Sequence, residues 1–282
     1  MKEIADSINQ MFKPFHDLQK IVEPMKRVQE SMQPVIRMQK ALENITKAYM
    51  VSIPNFELPF KDYASSFERI SQRLIEYQES TPKHLLLIAE YGWYIDFDSD
   101  LNFPHQIAQE LEDGNMQAAD LILEKYYSSK LERIDKELSE RHEDRKEIIN
   151  EIFEGHKSGK YYLTIPAILS QVDGVCFDFT RKKFFIKERG NNYLPEVTSE
   201  LESLSKGIID LFLSPIRNQT PIVVREMDLP KYQCTLNRHK VLHGVSKDYG
   251  TKVNSLKCIS LLKYISDLLI ETDRKNTKHN NM

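Results

Sequence analysis

Two adjoining stretches decide how this chain is read. Leu236-Asn237-Arg238-His239-Lys240-Val241-Leu242-His243-Gly244 is followed by TKVNSLKCISLLKYISDLL over 251–269. In the second stretch Leu256, Ile259, Leu262, Ile265 and Leu269 recur at helical spacing, the buried stripe of an amphipathic terminal helix. Thr251 or Asn254 suits its N-cap. The first stretch reads as the end of a helix running from about Tyr232 to Leu242 and stopped by Gly244, a residue fitted to a C-cap. That turn gathers an arginine and two histidines. A guanidinium offers a planar fork for phosphate oxygens, and an imidazole gives or takes a proton near neutral pH.

Upstream, most of the text is helical. Leu85 to Ile95 is an apolar and aromatic cluster containing Gly92-Trp93, with Trp93 read as a core aromatic. Phe103–Asp113 is a helix ended by Gly114, and Asn115–Gly155 is one long helix or two in series. In the latter, Leu121, Tyr127, Leu131, Ile134 and Leu138 face inward and the acids of 132–154 form a solvated face. A further helix from about Gly159 buries Tyr161, Leu163, Ile165, Ile168, Leu169 and Val172. Pro166 lies inside it, and Asp173-Gly174 reads as its stop. Ser170, Gln171 and Asp173 are in place to lend a polar group to a cleft. Val197–Leu213 is helical, and the prolines between Ser214 and Leu229 mark a loop or extended crossing. The fold class expected is mostly α, a helical bundle with a short β-hairpin insertion near 176–187.

Three domains are expected: a proline- and methionine-rich arm over 1–58, a helical region over 59–155 and a C-terminal helical domain over 156–282. The arm repeats proline, apolar, two mostly polar, apolar, glutamine, charged at Pro14, Pro24 and Pro34, a spacing of ten. Prolines that frequent suit short helical turns with an apolar edge, not a coiled coil, and Met11, Met25, Met32 and Met38 suit an adaptable contact surface. Residues 1–50 are therefore a candidate site for a protein partner. PNFELP over 54–59 reads as the linker, and Phe67, Ile70, Leu74 and Tyr77 as the first core-facing stripe.

Composition narrows the function classes. With 40% hydrophobic and 29% charged residues the chain has an ordinary globular composition, and a net charge of -3 excludes a wholesale nucleic-acid coat. The distribution of charge is more telling. RKKFFIKER, residues 181–189, carries five cations against one glutamate, and positive charge again dominates from Leu236 onward. Cys176, Cys234 and Cys258 are too far apart for a disulfide framework or a paired metal motif, which points to a reducing, cytoplasmic setting. The N-terminus lacks a signal-peptide core, and no apolar run is long enough to span a membrane. There is no phosphate loop, dinucleotide fingerprint or serine elbow.

Arg238-His239-Lys240-Val241-Leu242-His243-Gly244 resembles the signature of the HEPN superfamily (higher eukaryote and prokaryote nucleotide-binding). That signature is an arginine, a polar residue that is usually asparagine, three further residues, then histidine, often followed by glycine. His239 stands where asparagine is usual. The resemblance implies an all-α bundle that dimerises with two motifs meeting across the interface. It also implies metal-independent RNA cleavage without a cofactor, in members that include toxins and phage-defence effectors. It assigns His243 as general acid or base, Arg238 as the phosphate clamp and His239 as a second base or an orienting group. On an ideal helix, five positions separate side-chain directions by about 140°. A long arginine or a second protomer must therefore close the site, whereas His239 and His243 share a face.

Lys240, Lys247 and Tyr249 are candidate RNA-binding residues, able to meet phosphate or stack on a base, and equally able to be a solvated loop. Other readings stay open for the motif. Arg238 and His243 also suit a helix C-terminus, where cations are favoured. A zinc pair at His239 and His243 is disfavoured by adjacent Arg238 and by the absence of a following glutamate. The chain is thus expected to be an RNA endonuclease acting as a homodimer, with RNA as partner and no membrane contact. The alternative is a non-catalytic helical interaction or nucleotide-binding module.

Overall fold

The computed structural model describes residues 76–77, 79–100, 102–187, 194–204 and 208–279. The ten-residue repeat, the PNFELP linker and most of the Phe67 stripe lie outside them. The chain divides into two compact units, Met1–Ser80 and Thr81–Met282, and the second carries everything below. The boundary expected at residue 155 falls inside a helix of this unit.

The second unit is helical, as the periodicity implies, with no strand among the described residues. Its elements are α1 (residues 81–90), α2 (Phe103–Glu112), α3 (Met116–Arg141), a 3-10 turn (Glu143–Arg145), α4 (Lys146–Lys157) and α5 (Tyr161–Thr180). Next come α6 (Val197–Leu204), α7 (Ile208–Phe212), a 3-10 helix (Glu226–Lys231), α8 (Arg238–Leu242) and α9 (Lys252–His279). The charged text between 115 and 155 is thus two helices in series. Helices α5 and α9 pack along each other, with α3 and α4 completing a bundle around them.

Thr251 caps α9, its hydroxyl accepting the Asn254 N–H at 3.1 Å. All five expected stripe residues of α9 are buried, but so are residues on every other side of it, including Ser255, Lys257, Ser260, Lys263, Ser266 and Asp267. The cause lies in Trp93–Asp98, a non-helical segment that crosses the core after Gly92. Gly92 has φ +86°, and a Cβ there would lie 2.6 Å from Cys234 Sγ, so both conformation and space demand glycine. A buried non-helical backbone must find partners in side chains. Tyr94 N–H donates to Ser260 Oγ at 3.2 Å, Phe97 N–H to Asp267 Oδ2 at 3.1 Å and Asp96 N–H to Tyr127 Oη at 3.3 Å. The Tyr127 hydroxyl in turn donates to Tyr94 O. Trp93 stacks on Tyr127 and donates from Nε1 to Asp120 at 2.6 Å.

Around Asp267 gathers a buried ion cluster. Lys263, with no exposed surface, places Nζ 2.7 Å from Asp267 Oδ1, 3.1 Å from Asp98 Oδ2 and 3.3 Å from Glu137 Oε2. Arg141 reaches Asp267 at 2.5 Å and Glu137 at 3.5 Å, while Arg133 reaches Asp98 at 3.2 Å. Glu137 and Arg141 therefore face the core, whereas Glu132, Glu140, Glu143, Asp144, Glu147, Glu151 and Glu154 are exposed, as expected of a solvated acidic face. Two buried histidines tie the bundle to α9: His142 hydrogen-bonds Ser266 at 2.8 Å and His156 hydrogen-bonds Ser255 at 2.7 Å. Burial pushes both imidazoles down to about 4.

Other inward positions also shift. Leu121 and Leu163 are exposed, while Ile165, Ile168, Leu169 and Val172 are fully buried. Asp173-Gly174 does not stop α5, which runs on to Thr180 and ends at Arg181, φ 60°. Over Gly174, mid-helix, lies the Arg145 guanidinium, 2.4 Å from where a Cβ would sit, so a larger residue would displace that flexible side chain. That guanidinium pairs through two nitrogens with Asp178. The hairpin expected near 176–187 is absent from the described residues. Residues 176–180 continue α5 because Val175 and Cys176 extend its buried face. The remainder is irregular, with one isolated antiparallel bridge, Lys187 to Pro195.

Removing one partner from a buried ion cluster leaves the others uncompensated, a cost of about 3–5 kcal/mol. Lys263→Met is accordingly expected to lower unfolding stability in urea by about that amount. A loss below about 1 kcal/mol, typical of surface pairs, would show that the charge is not held in the core.

Candidate active site at the Arg238–Gly244 turn

The helix carrying the motif is shorter than its sequence indicates. It begins at Arg238 because Asn237, 1% exposed, adopts an extended N-cap conformation and accepts the Lys240 N–H through its side-chain oxygen at 3.2 Å. The same amide group donates to Pro221 O at 2.7 Å and Val224 O at 2.9 Å. Arg238 N–H donates to Ile222 O at 3.2 Å. The turn is thus fastened to the 221–224 crossing by Asn237 and Arg238 together. Its other end closes as a Schellman motif: Gly244 N–H bonds Val241 O and Val245 N–H bonds Lys240 O. Gly244 has φ +69° with open space around it, so conformation alone selects glycine there.

Within this turn the structure brings His239 and His243 together, their rings 4.2 Å apart between centroids. Both are exposed. Arg238 points elsewhere, its guanidinium carbon 5.3 Å from the Phe185 ring centroid. Arg238, His239, Phe185, Lys187, Arg225, Glu226 and the 222–224 backbone line an open pocket of about 140 Å³. His243 lies outside that lining. His239 is the link between pocket and exposed histidine, and no direct contact joins Arg238 to His243.

The Arg238 side chain is half-buried, and its Nε is buried with no hydrogen-bond partner among the described residues. Its nearest carboxylate influence comes from Asp173. Asp173 Oδ1 accepts the Phe185 N–H at 2.8 Å and so fixes the residue on which the guanidinium rests. Burial pushes the Asp173 carboxyl up, against the pull of the Phe185 N–H and the Arg238 charge. Of the polar residues expected near the cleft, only Asp173 connects to it. Gln171 accepts from Arg145 at 3.0 Å, and Ser170 bonds its own helix at Ala167 O.

The RNA-binding candidates divide. Lys240 and Lys247 form no ion pair among the described residues, but neither lines the pocket. Tyr249 has a structural task that Pro166 creates. Proline at 166 has no N–H for Tyr162 O, its partner in a regular helix. The Tyr249 hydroxyl donates to that carbonyl at 3.1 Å, while Tyr162 donates to Lys247 O at 3.2 Å. The loop is clasped to the start of α5, and Gly250 passes where a Cβ would lie 2.4 Å from the Tyr162 ring. The pocket's other cations, Lys187 and Arg225, were not singled out by the motif. The signal for Lys187 was the basic run over 181–189; Arg225 lies alone in a loop. No group of three or more metal-binding side chains occurs among the described residues.

No protein-family model matches this chain, and comparison with curated proteins and with solved structures likewise finds no match.

At an ordinary N-cap, aspartate replaces asparagine without loss. Here it keeps the acceptor for Lys240 N–H but turns a carboxylate toward two buried carbonyls. Asn237→Asp is expected to destabilise the protein by about 1–3 kcal/mol, the cost of buried groups without donors. Unchanged stability in chemical denaturation would refute the fastening role of the amide.

Proposed function

We propose that this protein is a metal-independent RNA endonuclease of HEPN type, acting as a homodimer through Arg238, His239 and His243. The observation that carries the reading is the state of Arg238. Buried polar groups are almost always hydrogen-bonded, yet Arg238 lines a pocket while its buried Nε has no acceptor among the described residues. A phosphate is the natural acceptor for a planar fork of N–H donors. Next to it stands a pair of exposed imidazoles on a turn braced at both ends.

In the proposed reaction the RNA 2′-hydroxyl attacks the adjacent phosphorus, and the bond to the 5′-oxygen breaks. One imidazole takes the 2′-hydroxyl proton and another gives a proton to the departing 5′-oxygen. The products are a 2′,3′-cyclic phosphate and a 5′-hydroxyl. Arg238 supplies charge to the phosphorane oxygens, where stabilisation is worth most. His243 serves as the principal acid or base. His239, in ring contact with His243 and on the pocket wall, orients it or shares the proton traffic. Separation of Arg238 from His243 within one protomer favours a site completed by a second copy. Exposed apolar Leu242 and Val245, which flank His243 in sequence, are consistent with such a contact.

Loss of a general acid or base typically costs about 10²–10⁴-fold in rate. His243→Ala, with an unchanged circular dichroism spectrum, is expected to lose RNA cleavage by that factor, and wild-type cleavage to persist in excess EDTA. Undiminished cleavage by the variant would overturn the assignment.

A further inference from the structure

The pocket beside Arg238 contains more cationic equipment than one scissile phosphate requires. Its walls come from three parts of the chain: Phe185 and Lys187 after α5, residues 222–226 of the crossing, and Arg238 with His239 at the start of α8. Three cations, Lys187, Arg225 and Arg238, line it with one carboxylate, Glu226, while Asp173 and Asp228 act on these cations from outside the lining. Three backbone carbonyls of this wall are already engaged: Val224 O accepts from Asn237, Ile222 O from Arg238 N–H and Arg225 O from Asp228 N–H. Arg225 is held by Asp228 at 3.3 Å. Lys187 is half-buried, and its amine forms neither an ion pair nor a hydrogen bond among the described residues. Burial and the neighbouring Arg225 charge disfavour its ammonium form, against the pull of Asp228, a pressure that an anion would relieve.

Size narrows the occupant. Pockets that enclose whole drug-sized ligands run to roughly 300–1,000 Å³, whereas this one offers about 140 Å³. It suits a phosphate group with its sugar edge, and leaves a nucleobase outside. Phe185 is itself buried beneath Arg238, so its ring is not a free stacking platform.

We infer that the Lys187 and Arg225 side of this pocket is a second phosphate subsite, holding the RNA phosphodiester next to the one addressed by Arg238 and the histidines. The inference rests on the RNA reading above and deepens it. The enzyme then reads strand continuity through adjacent phosphates. Lys187 is a binding residue here, without a part in proton transfer. Glu226 works against binding and tempers the affinity of the subsite.

The test is binding of a fluorescent, fully 2′-O-methylated RNA oligomer, which lacks the nucleophile and so stays intact, followed by anisotropy across a salt series. Each phosphate contact contributes about 0.7 to the log–log salt slope for a single strand. Lys187→Gln is expected to weaken binding several-fold and to reduce the slope by about that amount, with Lys187→Arg restoring both. Glu226→Gln is expected to tighten binding. If His243→Ala continues to cleave ordinary RNA, the cleavage mechanism fails while the effect of Lys187→Gln on binding still stands. The subsite is overturned if Lys187→Gln matches the wild type in affinity and slope, or if the wild type does not bind the oligomer. It is also overturned if a mononucleotide competes as well as the oligomer, since a free nucleotide would then be the ligand.

Discussion

The structure depends on how it accommodates Trp93–Asp98, a non-helical stretch buried in a helical bundle. Its amides have no helix or sheet to bond within, and they are met by Ser260, Asp267 and Tyr127. This places a carboxylate, Asp267, at full burial in α9, and that charge in turn requires Lys263 and Arg141. Lys263 and Arg141 draw in Asp98 and Glu137. Burial pushes the Asp98 carboxyl up to about 6, reinforced by its acidic neighbours against the pull of Lys263. Asp267, though fully buried, is held below the usual carboxylate range by Lys263 and Arg141. Such a cluster contributes little over an apolar core while complete, and is costly to break. It locks α9 to α3 and to the core-crossing segment through specific atoms.

Because α9 is fixed on every side, the loop before it and the turn before that have a rigid base. Tyr249 and Tyr162 clasp the loop to α5, and Asn237 fastens the turn to the crossing. The candidate site therefore sits at the rim of the bundle, on a helix of five residues braced by its neighbours. A short helix has little stability of its own, so the geometry of Arg238, His239 and His243 is imposed by tertiary hydrogen bonds. The Arg238 guanidinium, resting on Phe185 that Asp173 positions, lines the pocket with its Nε buried and unpartnered among the described residues.

The sequence conveyed the helical class, the caps at Thr251 and Gly244, and the stripe of α9, because these are local signals of spacing and turn chemistry. It did not convey burial of the charges. Lys263 and Asp267, four residues apart, look the same whether they form a solvated pair or a core cluster, since their partners Asp98 and Arg141 come from distant elements. Glu137 reads like the exposed acids around it for the same reason. Gly174 looked like a stop because the side chain that packs over it, Arg145, comes from the 3-10 turn before α4. At the site, the motif marked Arg238, His239 and His243. The histidine pair was legible in its spacing of four, whereas the pocket that Arg238 and His239 line was not, because Lys187 comes to it through an irregular segment that reads as a hairpin.

The central claim is that this turn cleaves RNA by internal transesterification. The most direct measurement is mass spectrometry of the ends of RNA fragments released by the wild-type protein in excess EDTA. The account predicts 2′,3′-cyclic phosphates paired with 5′-hydroxyls. Fragments bearing 5′-phosphates and 3′-hydroxyls, or RNA left intact, would contradict it.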